Sequence, residues 1–217
     1  MATALAAGAS RIVTCREISE AIDLAKRMRP SPLLCGERGC KPIDGFDLGN
    51  SPAEYTSERV QDRSLILTTT NGTRAIESAA DAGRMVTASF LNVSAVLDSL
   101  QRSEDVHLIC SGTDGEITAE DVLLAGAIVS QCEMRYQAVL QDDEAILARQ
   151  FWQSWFSASG LPESQQLSGR LRETRGGRNL LRVGYEQDLD RCAAIDSIRV
   201  VPELKSRQPM SFGLQAS

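Results

Sequence analysis

Short apolar runs that stop abruptly at glycine-, hydroxyl- and carboxylate-rich segments constrain this chain more than any other feature. Leu33-Leu34-Cys35 runs into GERGCKPIDGFDLGNSP (36–52), Leu65-Ile66-Leu67 into TTTNGTR (68–74), and residues 106–110 into SGTDGEITAED (111–121). Short runs bounded by turn residues read as buried strands, and the segments that follow them read as helices. In an alternating chain of strands and helices, the loops leaving the carboxyl ends of parallel strands gather on one edge of the sheet, where open α/β folds bind ligands. The expected class is therefore α/β, and the three polar stretches are expected to converge.

The first seven residues read as the end of a helix stopped by Gly8, and a strand runs from Arg11 to Thr14. Thr14-x-x-Glu17 fits a capping box, and Ile18, Ala21, Ile22, Ala25 and Met28 recur at helical spacing in an amphipathic crossover helix. Ser51-Pro52-Ala53-Glu54 reads as an N-cap, a proline at the first helical position and a glutamate that completes the box. A helix is expected from the Asn71-Gly72 turn to Ala82 with Gly83 as its stop, then a strand at 85–88. A helix from N-cap Asn92 to near Leu100, a strand at 106–110 and a helix opened by Thr118-x-x-Asp121 complete a βαβαβαβα order. Beyond residue 140 the pattern is less regular: 142–158 and 187–194 read as helices, and 197–201 as a final strand before Pro202. In FWQSWF (151–156), Phe151, Trp155 and Phe156 fall near one face, which reads as a packing surface ahead of a substrate lid.

A chain of 217 residues can bury one sizeable α/β core or two small lobes. No linker marks a boundary, so a single domain over 1–217 is expected, with 140–217 its less regular part. The net charge of −6, with no basic stripe or aromatic platform, argues against nucleic acid as partner. The six cysteines form no C-x-x-C pair or zinc-type spacing and read as buried reduced thiols. With no signal-peptide pattern and no apolar run near the length of a membrane span, a cytoplasmic protein is expected.

The chemistry lies in the polar stretches. At the strand-to-helix junction TTTNGTR, the hydroxyls of Thr69, Thr70 and Thr73 and the amides around Asn71-Gly72 are placed to meet an anion, and Arg74 adds a fork for a pair of phosphate or sulfonate oxygens. Taken alone, the heptad reads first as an ordinary N-capped turn with an exposed arginine, and second as an anion site. Glu37, Arg38, Asp44 and Asp47, set among four glycines and followed by Asn50-Ser51 at a helix start, read as a structured binding loop; magnesium is held by a few such carboxylates with waters and substrate phosphate. In the third stretch are Asp114, Gly115, Glu116, Glu120 and Asp121. For Glu120 and Asp121, complementing the helix dipole and ligating a metal are equally good accounts.

Absences narrow the reaction. The sole histidine, His107, falls inside an expected strand, as a packed or solvent-facing side chain. No cysteine precedes a C-x5-R phosphate loop, and neither a D-x-D-x-T nucleophile nor a G-x-x-x-x-G-K-[ST] loop occurs. Metal-assisted phosphoryl transfer remains, with magnesium polarising the phosphoryl group and arginine and threonine donors neutralising its oxygens.

GERGCKPIDGFDLGNSP, TTTNGTRA and SGTDGEITAEDVLLAGAIV resemble the signature stretches of the 2-phosphosulfolactate phosphatase family, over most of 2–130 and more loosely to Pro202. The resemblance implies a three-layer α/β/α sandwich with a mostly parallel sheet. It also implies a homodimeric, Mg2+-dependent phosphomonoesterase that converts phosphosulfolactate to sulfolactate and phosphate, in the route to coenzyme M or related sulfonates. By position, Glu37, Arg38, Asp47, Asn50 and Ser51 match the first family motif, Thr69, Thr70, Asn71, Gly72, Thr73 and Arg74 the second, and Asp114, Gly115, Glu120 and Asp121 the third. The catalytic candidates are Glu37, Asp47, Arg74 and Asp121, and the metal candidates Glu37, Asp47, Glu120 and Asp121. Substrate binding is assigned to Arg38, Asn50, Ser51, Thr69, Thr70, Asn71, Gly72, Thr73, Asp114 and Gly115.

Two departures stand out. RGCKPID replaces a more glycine- and lysine-rich version, leaving the second anion contact open. The N-terminal strand and V-I-D-V-L-R-A-T-T-like motif of the family, with its Asp and Arg, have no counterpart, and the expectation is a start assigned too late. Two other classes stay open: a phosphatase for a different small phosphorylated acid, or a non-catalytic anion-binding homologue.

Overall fold

β-Branched and leucine-rich runs pair as their burial on two faces requires. The structure, a computed structural model, describes residues 1–156 and 163–214. Strand β1 (Arg11–Thr14) pairs in parallel with β4 (Ser64–Thr68), and β4 in parallel with β2 (Leu33–Arg38). Antiparallel strands flank this parallel centre: β3 (Lys41–Pro42) beside β2 and β6 (Met210–Leu214) beside β1, with β5 (Pro202–Arg207) outermost, in the order β3-β2-β4-β1-β6-β5.

The register sorts apolar side chains by face. Ile12, Leu65 and Leu33 lie in one row and join Leu5, Leu48 and Val60 on one side of the sheet. The next row, Val13, Ile66 and Leu34, points the other way, onto Ala21 and Leu24 of α2 (Ile18–Arg27) and onto Met28, which follows it. Helices α1 (Ala2–Ala6) and α3 (Ser57–Val60) cover the first side, with Gly8 turning the chain at φ +96° after α1. A period-2 pattern with both faces buried is what a strand between two helical layers demands.

Backbone contacts divide the chain into two compact units, Met1–Ala88 with Ile198–Ser217, and Ser89–Ser197. The first holds the sheet and α4 (Gly72–Ser78). The second is helical: α5 (Val93–Leu100), α6 (Ala119–Tyr136), α7 (Asp143–Trp155), α8 (Ser164–Glu173), α9 (Arg175–Val183) and α10 (Glu186–Cys192). Its core gathers Phe90, Leu123, Trp152, Phe156, Leu167 and Leu189. Gly126 lets α6 and α7 touch, since a Cβ there would lie 2.1 Å from the carbonyl oxygen of Ala148.

Several elements differ from expectation. Residues 106–110 form no strand, and Val106, Leu108, Ile109 and His107 are exposed; among the described residues no neighbouring strand supplies a ladder. Residues 85–88 form an isolated bridge, Val86–Glu203, through the backbone bonds Thr87 to Pro202 and Leu204 to Met85, in place of a strand, and the C-terminal strand starts at Pro202 instead of ending before it. Proline is tolerated at a strand's first residue, because no ladder donor is needed there. The hairpin β5–β6 and helices α8 and α9 escaped the reading, being polar or interrupted by Gly169, Gly176 and Gly177. Helix α4 stops at Ser78, short of Ala82, and the Ser51–Glu54 box opens a single 3-10 turn, with Ser51 Oγ accepting from the Ala53 amide. In FWQSWF the buried pair is Trp152 and Phe156, four residues apart with rings 4.6 Å apart; Trp155 instead lies under the Arg170 guanidinium. The helix expected over 142–158 ends at Trp155, with Phe156 extended as its cap, and residues 157 and 158 lie outside the described residues.

Candidate active site

The carboxyl ends of β1, β2 and β4 lie side by side, and there the first two polar stretches meet. Gly36 makes the approach possible. Its φ is +147°, and a Cβ would sit 1.9 Å from the carbonyl oxygen of Thr68, so no other residue fits without moving backbone. The next residue, Glu37, is buried, and its two carboxylate oxygens accept separate amides, Oε1 from Thr70 at 2.8 Å and Oε2 from Cys40 at 2.9 Å. This single carboxylate thus fixes both loops.

Arg38 spans the same edge. Its Nη2 donates to Thr68 Oγ1 at 2.9 Å and to the carbonyl of Arg16 at 3.0 Å, while Thr68 Oγ1 donates to that carbonyl at 3.0 Å. The chain leaving β1 is thereby tied to those leaving β2 and β4. In TTTNGTR, the Thr73 amide donates to Thr69 Oγ1 and Thr73 Oγ1 to the Thr69 carbonyl, closing the first turn of α4. Asn71 is the N-cap residue and Gly72 the first helical one. Arg74 is exposed and makes no ion pair among the described residues. The Thr70 hydroxyl is buried and has no hydrogen-bond partner among the described residues. A buried hydroxyl without a partner is costly unless a ligand or water completes it.

Asp47, Asn50 and Ser51 lie elsewhere on the loop. Asp47 accepts the Leu34 amide at 2.8 Å, three residues before Glu37 and so about 10 Å away along the strand. Asn50 is exposed and Ser51 buried at the 3-10 turn. Arg16 and Thr68 were not foreseen as site residues, and Gly36 only as one of four loop glycines allowing close backbone approach; that Thr68 is what Gly36 approaches becomes visible only once register is known. Burial raises the thiols of Cys15 and Cys35 to about 12, so neither is a thiolate nucleophile at neutral pH.

The third stretch belongs to the helical unit. Thr118 precedes α6, and Asp121 Oδ2 accepts the Gly112 amide at 2.7 Å and the Thr118 hydroxyl at 2.9 Å. Thr113 and Glu116 exchange backbone hydrogen bonds around Asp114-Gly115, which turn through φ +56° and +81°. Arg175 reaches this turn from α9: Nη2 donates to Asp114 Oδ2 at 3.2 Å, and Nη1 to Glu116 Oε2. Glu120 Oε1 accepts the Gly176 amide at 3.0 Å, whereas Glu120 Oε2 is buried without a partner among the described residues. Arg175 and Gly176 were missed because they lie in the segment where hydrophobic periodicity is weakest.

Among the described residues no three His, Cys, Asp or Glu side chains gather as a metal centre. Glu37 has both oxygens engaged by amides, and Asp47 one. The unpartnered Glu120 Oε2 is the kind of oxygen a hard cation takes, and magnesium needs only one or two such carboxylates beside waters and substrate oxygens.

Comparison with known proteins agrees with the signature stretches. The family described as 2-phosphosulpholactate phosphatase matches residues 1–207. Proteins named probable 2-phosphosulfolactate phosphatase are similar to this chain in Thermotoga petrophila, 37% identical over 93% of this chain and 82% of the relative, and in Pseudothermotoga lettingae, 41% identical over 92% and 81%. The relative of that name in Caldanaerobacter subterraneus is 36% identical over 94% of this chain and 82% of its own length. The chain belongs to the 2-phosphosulpholactate phosphatase family.

Proposed function

We propose that this protein is a phosphoric monoester hydrolase that releases phosphate from 2-phosphosulfolactate, leaving sulfolactate. The observation that carries the reading is the buried Thr70 hydroxyl, without a partner among the described residues, at the rim where the Arg38, Thr68 and Arg16 network joins three parallel strands. The sheet unit supplies the anion grip. Thr70 Oγ donates to a phosphoryl oxygen, the exposed Arg74 fork takes a second, and Glu37, locked between two amides, holds the loop in place during turnover. Arg38 keeps the rim cationic while its own donors hold the chain leaving β1.

Mg2+ is part of this reading, and within the helical unit, taken by itself, Glu120 and Asp121 are the carboxylates that would hold it. A magnesium ion held there would neutralise charge on an anionic ligand and acidify a bound water. The substrate class is a small phosphorylated sulfonate, and the setting a cytoplasmic homodimer serving a route to coenzyme M. Among the described residues, no helix is long and apolar enough to cross a membrane.

Phosphate release from synthetic 2-phosphosulfolactate tests the proposal, with phospholactate as the control that lacks the sulfonate. Turnover is expected with magnesium, to fall to background in chelator, and to be faster on the sulfonate. Absence of release at saturating magnesium would overturn the reading; equal rates on both substrates would remove the sulfonate from it.

A further inference from the structure

The turn at residues 112–118 is anchored at its two ends on Asp121, which accepts from Gly112 and Thr118, and its exposed tip has less to hold it. Asp114, Gly115, Glu116 and Ile117 are exposed, Ile117 at 88%, so apolar burial contributes almost nothing there. Gly112, Asp114 and Gly115 all have positive φ, a region that costs an L side chain more than a glycine, though Asp tolerates it better than most. A turn that is exposed and conformationally costly opens easily unless something outside it holds it closed.

Arg175 supplies that hold from a rigid corner. Thr174 Oγ1 caps α9 by accepting the Gly177 amide at 3.1 Å, and a Cβ on Gly177 would fall 1.8 Å from the Leu171 carbonyl oxygen, so α8 and α9 are fixed against each other. From the first residue of α9 the guanidinium reaches three acceptors in one turn: Asp114 Oδ2, Glu116 Oε2 and, at 3.5 Å, the Thr113 carbonyl. The following residue, Gly176, donates its amide to Glu120, and a Cβ there would lie 2.2 Å from Glu120 Oε1. Two consecutive residues therefore grip both ends of the segment 113–120. A planar fork can serve two carboxylates at once, which a single ammonium does less well.

We propose that Arg175 is a positioning residue that clasps the 112–118 turn, keeping Asp114-Gly115 in the conformation that binds substrate. The clasp itself rests on the contacts above; its effect on turnover rests on the reading of the protein as a phosphatase. If substrate engages only the closed turn, loss of the clasp lowers the competent fraction and appears as a raised KM with kcat nearly unchanged.

The test compares wild type, R175K and R175A as full-length proteins, by amide hydrogen exchange over 111–118 and by KM and kcat for phosphate release from 2-phosphosulfolactate with magnesium. In R175A, exchange confined to this turn is expected to accelerate about tenfold and KM to rise by about the same factor. R175K should fall between, and high salt should move wild type toward R175A. Unchanged exchange in R175A overturns the clasp; faster exchange with unchanged KM overturns its role in binding. Should R175A fail to fold, E116Q removes one arm, and unchanged exchange in it counts against the clasp equally. If wild type releases no phosphate, the phosphatase reading falls, while the exchange comparison still decides the clasp.

Discussion

In the sheet unit the polar loops are held by backbone amides converging on one buried carboxylate, whereas in the helical unit the tip of the polar turn, beyond the ends that Asp121 anchors, is held by one guanidinium reaching out to exposed carboxylates. Glu37 is 8% exposed, while the Asp114 and Glu116 side chains are 64% and 72% exposed. Hydrogen bonds to a shielded charge keep their strength, and exposed ion pairs are screened to about 0–1 kcal/mol. One rim is therefore built to stay fixed and the other turn to be held reversibly. Two methods of anchoring imply two very different responses to substitution.

The largest expected contrast is between two glycines. Gly36→Ala forces a Cβ against the Thr68 carbonyl in the middle of a parallel ladder, at a φ that L residues avoid. It should cost about 4 kcal/mol or more and lower Tm sharply, or leave the protein unable to accumulate in folded form. Gly112→Ala also meets a carbonyl, that of Glu116 at 2.5 Å, but on an exposed turn that can yield. Its cost is expected at about 1–2 kcal/mol by chemical denaturation. Similar costs for both would break the distinction between a fixed rim and a yielding turn.

Carboxamide substitutions sharpen the same point by counting oxygens. Glu37 uses both of its oxygens on separate amides, so Gln necessarily turns an NH2 group toward one of them. Glu37→Gln should destabilise by about 2–3 kcal/mol and remove most phosphate release, because the Thr70 loop loses its anchor. Asp121 receives its donors on Oδ2 alone, and Asn can leave its carbonyl oxygen there. Asp121→Asn should therefore cost about 1 kcal/mol or less in denaturation. Activity separates the residues further: Asp121→Asn is expected to weaken magnesium dependence, read from the metal concentration needed for half-maximal phosphate release.

The sheet unit was also the more legible in sequence. β1, β2 and β4 are apolar on both faces and end in turn residues, so their existence and the meeting of the first two stretches followed from pattern alone. What pattern could not give was register, and with it Gly36 against Thr68 or Arg38 reaching the Arg16 carbonyl. Residues 106–110 show the opposite error: their composition is that of a strand, yet a strand exists only when a neighbour offers hydrogen bonds, and a single sequence does not name the neighbour. In the helical unit the glycines of α8 and α9 blur the period, and Arg175 acts across 61 positions of sequence, beyond any local signal. The carboxylates of the third stretch were visible; the cation that organises them was not.

The smallest expected effect concerns the same chemical pairing in two settings. Glu203 of β5 accepts from Lys205 and from Arg84, both at 2.7 Å, with its side chain 16% exposed; these donors, Lys205 first, hold its carboxyl below the usual carboxylate range. A carboxylate with a lowered folded pKa stabilises the fold fully above its unfolded value, and this contribution is lost as pH falls through the folded one. Glu203→Gln should thus cost about 1 kcal/mol at neutral pH, discounted for solvent screening, and the gap to wild type should close on acidification. Glu116→Gln should change global stability by less than about 0.5 kcal/mol, since the turn it frees opens locally without unfolding the helices beneath. Denaturation series from neutral to acid pH on both variants check this. A larger global effect at Glu116 than at Glu203 would mean that solvent exposure does not set the strength of these pairs, and the contrast between the two units would lose its physical basis.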